Sequence, residues 1–493
     1  MTTARAIETS TWRLCPGVKW LDGKTLAGGA PYRVITLTDR GARLVHELLA
    51  AQQLTPGSAV AELLGRLEAA GLLRAPVPPS GDHGGVTLVI PARSAVEPLR
   101  ELLRLLPADL PVVIIDDGSP EPLATLSTER GGITVLRHHR SRGPAAARNA
   151  GATLVGTPWI AFLDADTLPD PDWIATLMGH LRHESAETGG PGSERVVLAA
   201  PRIYPLPGTG PAAWFEQRVC ALDLGGTPTD VGIGKTVSYV PSAALLVDAQ
   251  AFRRVGGFDE SMTVGEDVDL VWRIADVGRI RYLPDVRVGH RPRGTLLAAL
   301  DRRREYGTSA ADLGRRHPAA LRHVDVSVWS FGPWLLGVLV HPLLGAAAAA
   351  GTAAIAPWGM PNISAKHARR LAAQGHLRAG GALGRWLIRP MLPATIVAVV
   401  CSPKIGRRLL ATAVGGLGYL VAMDVRAARE TAAAPRTAVR LAAESLVART
   451  LDDVAYSVGV WQGVLAERTL EPILPKVRDL PEWRPRITRR RSG

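Results

Sequence analysis

Two carboxylates separated by one residue follow an apolar run near position 160. The run Trp159–Leu163 has the composition of a buried parallel strand, so Asp164 and Asp166 would emerge at its carboxyl end. Because alternate residues of an extended chain point to the same side, both carboxylates can face one cation. Mg²⁺ is usually shared between one or two carboxylates and the phosphates of a substrate. The motif therefore predicts a site for a nucleoside diphosphate and its cation, although Asp-x-Asp also occurs in solvated turns.

A second pair of acidic residues, Asp116 and Asp117, ends another apolar run. Apolar runs alternate with segments of helical spacing: strands are predicted at 85–91, 111–117 and 133–136, and helices at 97–106 and 143–154. This order predicts a right-handed parallel α/β sheet, and ligands of such sheets bind beyond the carboxyl ends of the strands. Both acidic turns would lie at that edge. The alternative for the second pair is an ordinary turn closed by an Asx hydrogen bond.

Three further acids, Glu266, Asp267 and Asp269, open an amphipathic helical pattern. A positioned carboxylate can accept the proton of an attacking hydroxyl, and general-base catalysis of this kind contributes about 10²–10⁴-fold to a rate. The alternative is that these acids only interact favourably with the helix dipole. The residues alone leave both interpretations open.

A histidine, His290, follows the predicted strand Tyr282–Val288. Imidazole suits Mn²⁺ better than Mg²⁺, so His290 is a candidate metal ligand. Alternatively, it binds phosphate or closes the site. The neighbouring Arg291 and Arg293 would suit diphosphate oxygens.

Six pieces of sequence, found in order between residues 86 and 293, carry a resemblance to a known family. This part of the chain resembles an inverting glycosyltransferase of family 2 with the GT-A fold, a Rossmann-like nucleotide-diphospho-sugar transferase. The matching pieces are Val89–Arg93, Ile115–Ser119, Arg142–Gly151, Phe162–Asp166, Val255–Glu260 and Gly265–Leu270.

The resemblance implies roles for the residues that match the family's motifs. Pro91 and the turn at Asp116 and Asp117 would hold the uracil of a UDP-sugar, and Arg148 would lie near the base and the ribose. Arg93 stands where the family often has a Tyr- or Asn-bearing turn, so contacts with the base are open at this position.

The same resemblance implies the chemical groups of the reaction. Asp164 would face the ribose or the sugar, Asp166 would bind Mn²⁺ or Mg²⁺, and Asp267 would be the general base, with Glu266 as the competing candidate. A bound cation would stabilise the leaving diphosphate, and the transition state would resemble an oxocarbenium ion.

The first eighty residues are predicted to form a separate unit. Short strands are expected around a hairpin turn at Asp22 and Gly23, followed by helices over 39–51 and 58–70 and a Pro/Gly linker over 76–85. This order resembles the small winged-helix, PqqD-like domain of peptide-modification systems. The resemblance implies that a leader peptide binds by adding a strand to an exposed edge. The alternative is a dimerisation or packing domain.

The two resemblances together narrow the expected substrate. A PqqD-like domain followed by a family 2 transferase is similar to the transferases of the mycofactocin system, and the stretches Arg302–Ala311 and Arg315–Pro318 share that similarity. This implies glucose transfer from UDP-glucose to a modified, peptide-derived redox cofactor of the premycofactocin type. One alternative is a lipid or polysaccharide acceptor at the membrane. Another is a peptide-binding assembly protein without transferase activity.

Length and composition agree with several domains in one globular chain. The 493 residues carry a net charge of +13, which favours anionic partners such as nucleotide sugars and acidic membrane surfaces. No RNA-binding or zinc motif selects nucleic acid, so that partner is not expected. The three cysteines are far apart, and the N-terminus lacks an apolar signal core. Both features favour a cytoplasmic protein.

The C-terminal third is predicted to be helical, apolar and membrane-associated. The core of an uncharged stretch, Leu335–Ile355, is long enough to span a bilayer, and Met391–Met423 is a second apolar region. The alternative for both is a buried helical hairpin. Basic flanks favour the cytoplasmic leaflet. The expected domains are therefore residues 1–80, 85–320 and 321–493.

Overall fold

The computed structural model describes residues 12–29, 32–50, 58–74, 82–94, 96–126, 131–187, 195–318, 320–321, 324–360, 363–431 and 437–478. Contacts divide the chain into two compact units, residues 1–309 and 310–493. Most of the predicted linker, residues 76–81, and the basic tail 484–493 lie outside the described residues. The division into three domains stays a prediction.

The N-terminal part of the first unit is a small mixed structure. Its strands are β1 (Arg13–Leu14), β2 (Lys19–Trp20), β3 (Thr25–Gly28), β4 (Arg33–Thr36) and β5 (Leu73–Arg74), and its helices are α1 (Asp39–Leu49) and α2 (Ser58–Ala69). Strands β2, β3 and β4 form an antiparallel sheet, and β1 pairs with β5. Asp22 closes the β2–β3 turn by accepting from the Thr25 amide at 2.7 Å. The PqqD-like assignment stays a prediction.

The rest of the first unit surrounds a nine-stranded sheet. Its strands are β6 (Val86–Ala92), β7 (Val112–Asp117), β8 (Ile133–His138), β9 (Trp159–Leu163), β10 (Thr167–Pro169), β11 (Val196–Pro205), β12 (Thr229–Asp230), β13 (Ala244–Asp248) and β14 (Arg279–His290). The helices are α3 (Val96–Leu105), α4 (Pro144–Thr153), α5 (Trp173–Glu187), α6 (Gly210–Glu216), α7 (Ala249–Arg254), α8 (Glu266–Ile274) and α9 (Leu296–Arg316), which continues into the second unit.

The sheet is mixed, and it contains the predicted parallel strands together with antiparallel ones. Strands β8, β7, β6 and β9 are parallel as predicted, but β13 lies between β9 and β11 and is antiparallel to both. All five residues of β13 are buried. Because such a strand is apolar on both faces, its residue pattern carries no information about its direction.

The predicted apolar spacing does define the core on one face of the sheet. Leu99 and Leu102 of α3 are fully buried, as are Leu88 and Ile114 of the strands that the helix covers. This burial removes apolar surface from water and holds the carboxyl ends of β6, β7 and β9 at one edge.

A bulge in β14 sets the position of the last residues of that strand. Pro201 of β11 pairs with Leu283, but the next residue, Arg202, pairs with Arg287, so residues 284–286 leave the ladder. Beyond the bulge, β14 also pairs with β10, which places His290 opposite Thr167. The bulge therefore decides which residue of β14 lies beside the Asp164–Asp166 turn.

The second unit is mainly helical. Its further elements are β15 (Asp325–Ser327), α10 (Val328–Leu339), α11 (Pro342–Gly359), α12 (Ala365–Ile388), α13 (Leu392–Cys401), α14 (Pro403–Thr431), α15 (Ala438–Glu467) and β16 (Lys476–Arg478). Strands β15 and β16 pair in parallel.

The predicted continuous span Leu335–Ile355 is wrong, because the chain folds there into two helices. Helix α10 ends at Leu339, and the His341 side chain caps α11 by accepting from the Leu343 amide at 3.2 Å. Pro342 lacks the backbone N–H that a continuing helix would use and stands at the first position of α11, where that N–H is not needed.

The second apolar region, Met391–Met423, is also divided, between Cys401 and Pro403. Among the described residues one helix, Pro403–Arg429, is long and apolar enough to cross a membrane. A pair bent by 87°, Ala365–Ile388 with Leu392–Cys401, would be a second. Length and composition alone do not separate such helices from core helices.

Candidate functional site

The Asp164–Asp166 turn follows β9 at the carboxyl edge of the sheet. The Asp164 amide donates to the Ala243 carbonyl at 2.9 Å, and the Thr167 hydroxyl donates to the Asp164 carbonyl at 2.7 Å. The Asp164 side chain is 26% exposed, whereas that of Asp166 is 47% exposed. The backbone of the turn is therefore held by hydrogen bonds on both sides, and the Asp166 carboxylate is the more exposed of the two.

Arg148 is a buried counter-ion of two carboxylates. It lies on α4, and its guanidinium is 2.6 Å from Asp164 and 3.2 Å from Glu266. Burial lowers the pKa of Arg148, but the charges of Asp164 and Glu266 raise it above its ordinary value. The Phe258 ring covers the guanidinium at 5.4 Å. Arg148 is thus paired with acidic side chains in the structure. The contact of Arg148 with a nucleotide stays a prediction.

Asp267 and Glu266 begin α8 but have different surroundings. Glu266 is buried against Arg148, whereas Asp267 accepts from the amides of Val268 at 2.8 Å and Ser242 at 3.3 Å. Burial and the neighbouring Glu266 charge raise the pKa of Asp267 to about 7, although Arg148 opposes the rise. A carboxylate with this pKa can accept a proton near neutral pH.

His290 and Asp166 lie side by side, with 3.4 Å between Nε2 and Oδ2. The Arg291 amide donates to the Asp166 carbonyl at 3.0 Å and joins the two strand ends. Within the part of the chain that the structure describes, no group of three His, Cys, Asp or Glu side chains is arranged to hold a metal. A carboxylate and an imidazole nevertheless fit a divalent cation whose other ligands are phosphate oxygens and water.

Asp116 and Asp117 organise the loop that follows β7. Asp116 accepts from Arg137 at 2.5 Å and from the Ser119 amide at 2.9 Å. Asp117 accepts from the Ser141 hydroxyl at 2.6 Å, and its carboxylate lies 2.7 Å from the His138 ring.

Burial alone would raise the pKa of both carboxyls, but these donors hold each pKa below its ordinary value. Both groups are therefore ionised and already surrounded by protein partners. Their predicted contact with uracil stays a prediction.

Pro91 and Arg93 lie at the same edge as Asp116. Pro91 pairs with Ile115 across the β6–β7 ladder, and Arg93 is exposed directly after β6. The Ser94 amide donates to the Ser119 hydroxyl at 2.9 Å. The predicted residues thus fall into two groups, one after β6 and β7 and one formed by Arg148, Asp164, Asp166, Glu266, Asp267 and His290.

Several residues of the site are not found by sequence reasoning. Ser242 is the partner of Asp267, yet it stands in an unremarkable loop. Asn149 brackets Phe258 by donating to its carbonyl and accepting from its amide. Asn149 belongs to the motif around Arg148, and Phe258 to the Gly-Gly-Phe-Asp-Glu motif. Both motifs can be recognised in the sequence, but the contact between Asn149 and Phe258 cannot.

Two family models match this part of the chain. The model described as glycosyl transferase family 2 matches residues 87–192, and the model described as glycosyl transferase family group 2 matches residues 159–364. Together they cover both groups of site residues.

One relative extends the similarity over most of the chain. The pre-mycofactocin glycosyltransferase of Mycobacterium tuberculosis is 34% identical over 467 residues, which covers 93% of this chain and 95% of that protein. The validoxylamine A glucosyltransferase of Streptomyces hygroscopicus is 28% identical over 34% of this chain and 41% of that protein. Among solved structures, the mannosyltransferase PcManGT from Pyrobaculum calidifontis is 19% identical over 76% of this chain and 98% of that chain. Its TM-score is 0.37, a similarity that assigns no function.

Proposed function

Because the chain belongs to the glycosyltransferase family that includes the pre-mycofactocin glycosyltransferases, we propose that it moves glucose from UDP-glucose to a peptide-derived redox cofactor, with inversion at the anomeric carbon. It is a transferase with the GT-A fold, and it takes a nucleotide-sugar donor and an acceptor. The sugar, the stereochemistry and the acceptor are the proposed part.

The observation that carries the proposal is the different surroundings of two adjacent carboxylates. Glu266 is paired with Arg148, whereas burial and the adjacent Glu266 carboxylate raise the pKa of Asp267 to about 7. A general base is most effective when its pKa is close to the working pH. We therefore assign the base to Asp267, and we assign to Glu266 the role of raising its pKa.

The reaction is a single displacement. The acceptor oxygen forms a bond to the anomeric carbon while the bond from that carbon to the UDP oxygen breaks on the opposite face. The acceptor proton moves to Asp267, and UDP leaves with the bonding electrons. Attack from the opposite face inverts the anomeric configuration.

Asp166 and His290 would hold Mn²⁺ or Mg²⁺ together with the diphosphate. A bound divalent cation supplies charge stabilisation for a leaving diphosphate. Asp164, which pairs with Arg148 at 2.6 Å, would accept a hydrogen bond from a hydroxyl of the ribose or the sugar.

The base of the nucleotide would lie at the first group of residues. Pro91, Arg93 and the loop held by Asp116 and Asp117 end two adjacent strands. Since both carboxylates are engaged with protein donors, we expect the backbone of this loop and the Arg93 side chain to make the contacts.

The N-terminal part would recognise the peptide origin of the acceptor, and the second unit would associate with the inner face of the cytoplasmic membrane. The alternative acceptor is a lipid or a polysaccharide at that membrane. Strongly exposed apolar side chains favour this alternative, among them Trp358, at 85% exposed, and Leu343, at 73%.

One transfer assay tests the proposal. The purified chain is incubated with UDP-[¹⁴C]glucose and either a premodified peptide-derived acceptor or extracted membrane lipid. We expect label in the peptide-derived product. Transfer to lipid alone would support the alternative, and UDP-[¹⁴C]galactose serves as the donor control.

A further inference from the structure

A cavity of about 640 Å³ lies within the helices of the second unit. Its lining comes from α10, α11, α12 and α14, and half of the lining residues are Gly or Ala. Pockets that bind small molecules usually have volumes of about 300–1,000 Å³ and mostly apolar walls. The cavity therefore has the size and the wall of a ligand site.

Close contacts between glycines form one end of the cavity. A Cβ on Gly345 would lie 2.6 Å from the Gly337 Cα, so α10 and α11 touch through their backbones there. Beyond this contact, α11 presents Ala346, Ala349 and Ala353 to the cavity. Methyl side chains at these positions leave open the space that larger residues would fill.

Of the polar lining residues, Thr412 and the Nε2 of His376 have protein partners, whereas the buried Nδ1 of His376 has none within the described residues. The Thr412 hydroxyl donates to the Arg408 carbonyl at 2.9 Å. The Thr352 hydroxyl donates to the Ala349 carbonyl, so it accepts from His376 Nε2 at 2.8 Å. Burial lowers the pKa of His376, in agreement with a neutral ring.

Arg408 is the charged residue of the lining. Its Nη1 donates to the carbonyls of Val338 at 3.2 Å and Val340 at 2.7 Å, where α10 ends. A guanidinium has five N–H donors, so Nε and Nη2 keep donors for an anion. One cation beside a hydrocarbon wall suits an amphiphile with an anionic head.

The surface around the cavity is also apolar. Leu377, which lines the cavity, is 59% exposed, and Leu410, next to the lining residue Ala411, is 52% exposed. Extended apolar surfaces of this kind mark protein or membrane interaction sites. Trp358, at the end of α11, has the amphipathic ring that is enriched at membrane interfaces.

The charge of this region favours a membrane over a second copy of the chain as the partner of the apolar surface. Residues 328–423 contain nine Lys or Arg and no Asp or Glu, and two of the nine, Arg385 and Arg389, pair with Asp452 and Asp453 of α15. Two copies that met through these faces would bring like charges together. An anionic lipid surface attracts such a segment.

We propose that the cavity binds one acyl chain of an anionic phospholipid, whose headgroup phosphate is bound by Arg408. This deepens the membrane association proposed above and is independent of sugar transfer. The Gly and Ala residues of the lining determine the space for the acyl chain, and Arg408 determines which headgroup charge is bound.

The test uses dihexanoyl phosphatidylglycerol below its critical micelle concentration, so that the lipid is monomeric. Calorimetric titration of the full-length protein should show one molecule bound per chain. Ala349→Phe fills the cavity and should weaken binding at least tenfold. Ala347→Phe places the same ring on the exposed part of α11, outside the lining, and should leave the affinity unchanged.

The headgroup is tested at two adjacent arginines. Arg408→Gln should bind phosphatidylglycerol as weakly as the wild type binds uncharged dihexanoylglycerol. Arg407→Gln is the matched control, because Arg407 is exposed and does not line the cavity. Glycerol 3-phosphate, which carries the head without the chain, should not bind. Equal binding of glycerol 3-phosphate and the lipid would show a simple phosphate site instead.

Two further outcomes would overturn the proposal. One is full phosphatidylglycerol affinity in folded Ala349→Phe. The other is a dimer of the wild type, detected by sedimentation, that Ala349→Phe abolishes without affecting lipid binding, because a second copy would then occupy this surface.

If Ala349→Phe does not fold, a fluorescence-quenching experiment on the wild type takes its place and uses phosphatidylglycerol with brominated acyl chains. This lipid should quench the fluorescence of Trp334 in the cavity wall, by comparison with Trp334→Phe, and absence of that quenching would also overturn the proposal. Glucose transfer to a soluble acceptor should be the same in Ala349→Phe and wild type, which separates this test from that of the proposed function.

Discussion

Arg74 and Asp285 form an ion pair with 2.8 Å between Nη1 and Oδ1, and each side chain is only 26% exposed. Arg74 ends β5 in the N-terminal part, and Asp285 lies in the bulge of β14. Burial raises the pKa of Asp285, and Arg74 opposes that rise. The pair joins the N-terminal part to the strand that ends at His290.

Removal of this pair should destabilise the first unit. We expect Arg74→Gln to lower the free energy of unfolding by about 1 kcal/mol, because a partly buried carboxylate loses its partner. Urea denaturation measures the change. Arg182→Gln is the control, since Arg182 pairs with Asp82 at the surface, where the side chains are 48% and 72% exposed. Equal losses in both variants would mean that the Arg74–Asp285 pair has no special role.

Replacement of the proposed base should separate binding from turnover. We expect Asp267→Asn to lower kcat by about 10²–10⁴-fold, since the amide cannot accept the acceptor proton. The affinity for UDP, measured by calorimetry, should stay as in wild type. Asp276→Asn, an exposed change shortly after the same helix, should leave kcat unaltered. A normal rate in Asp267→Asn would place the base elsewhere.

The pH profile of kcat/KM should report the state of Asp267. Below its pKa of about 7 the group is protonated and cannot act as a base, so kcat/KM should rise with pH and level off above that value. Glu266→Gln removes a negative neighbour and should move the inflection to lower pH. Steady-state rates between pH 5 and 9 test both statements. An inflection that does not move in Glu266→Gln would contradict the proposed coupling.

The paired side chains Asp166 and His290 should determine the affinity for the cation. We expect Asp166→Ala and His290→Ala each to weaken Mn²⁺-dependent binding of UDP by about tenfold or more, because even residues around metal ligands contribute about 10–100-fold. Titration of UDP with and without Mn²⁺ measures this difference. The exposed Asp172→Ala is the control. Unchanged metal dependence in Asp166→Ala would exclude it as a ligand.

Local patterns were sufficient to predict much of this fold. The leucines of α3 and the apolar runs of β6, β7 and β9 were predicted in place, because burial depends on periodicities that a short segment contains. Strand β13 and its direction were not among the predictions, and the span Leu335–Ile355 was predicted to continue where the chain breaks at His341–Pro342. Strand direction depends on how the chain returns to the sheet, which a short segment does not contain. At His341–Pro342 the long apolar run favours one continuous helix, whereas the missing N–H of the proline favours a break.

The sequence by itself determined that carboxylates stand at the end of β7 and directly after β9, since an apolar run that stops at an acidic residue places that residue at the edge of a sheet. Only the tertiary structure decided what each carboxylate does. Arg148 meets Asp164 and Glu266, which is 118 residues away from it, and Asp267 lies beside Ser242 instead. Ion pairing and loss of water act between groups that are close in space, so the raised pKa of Asp267 has no counterpart in the order of the residues along the chain.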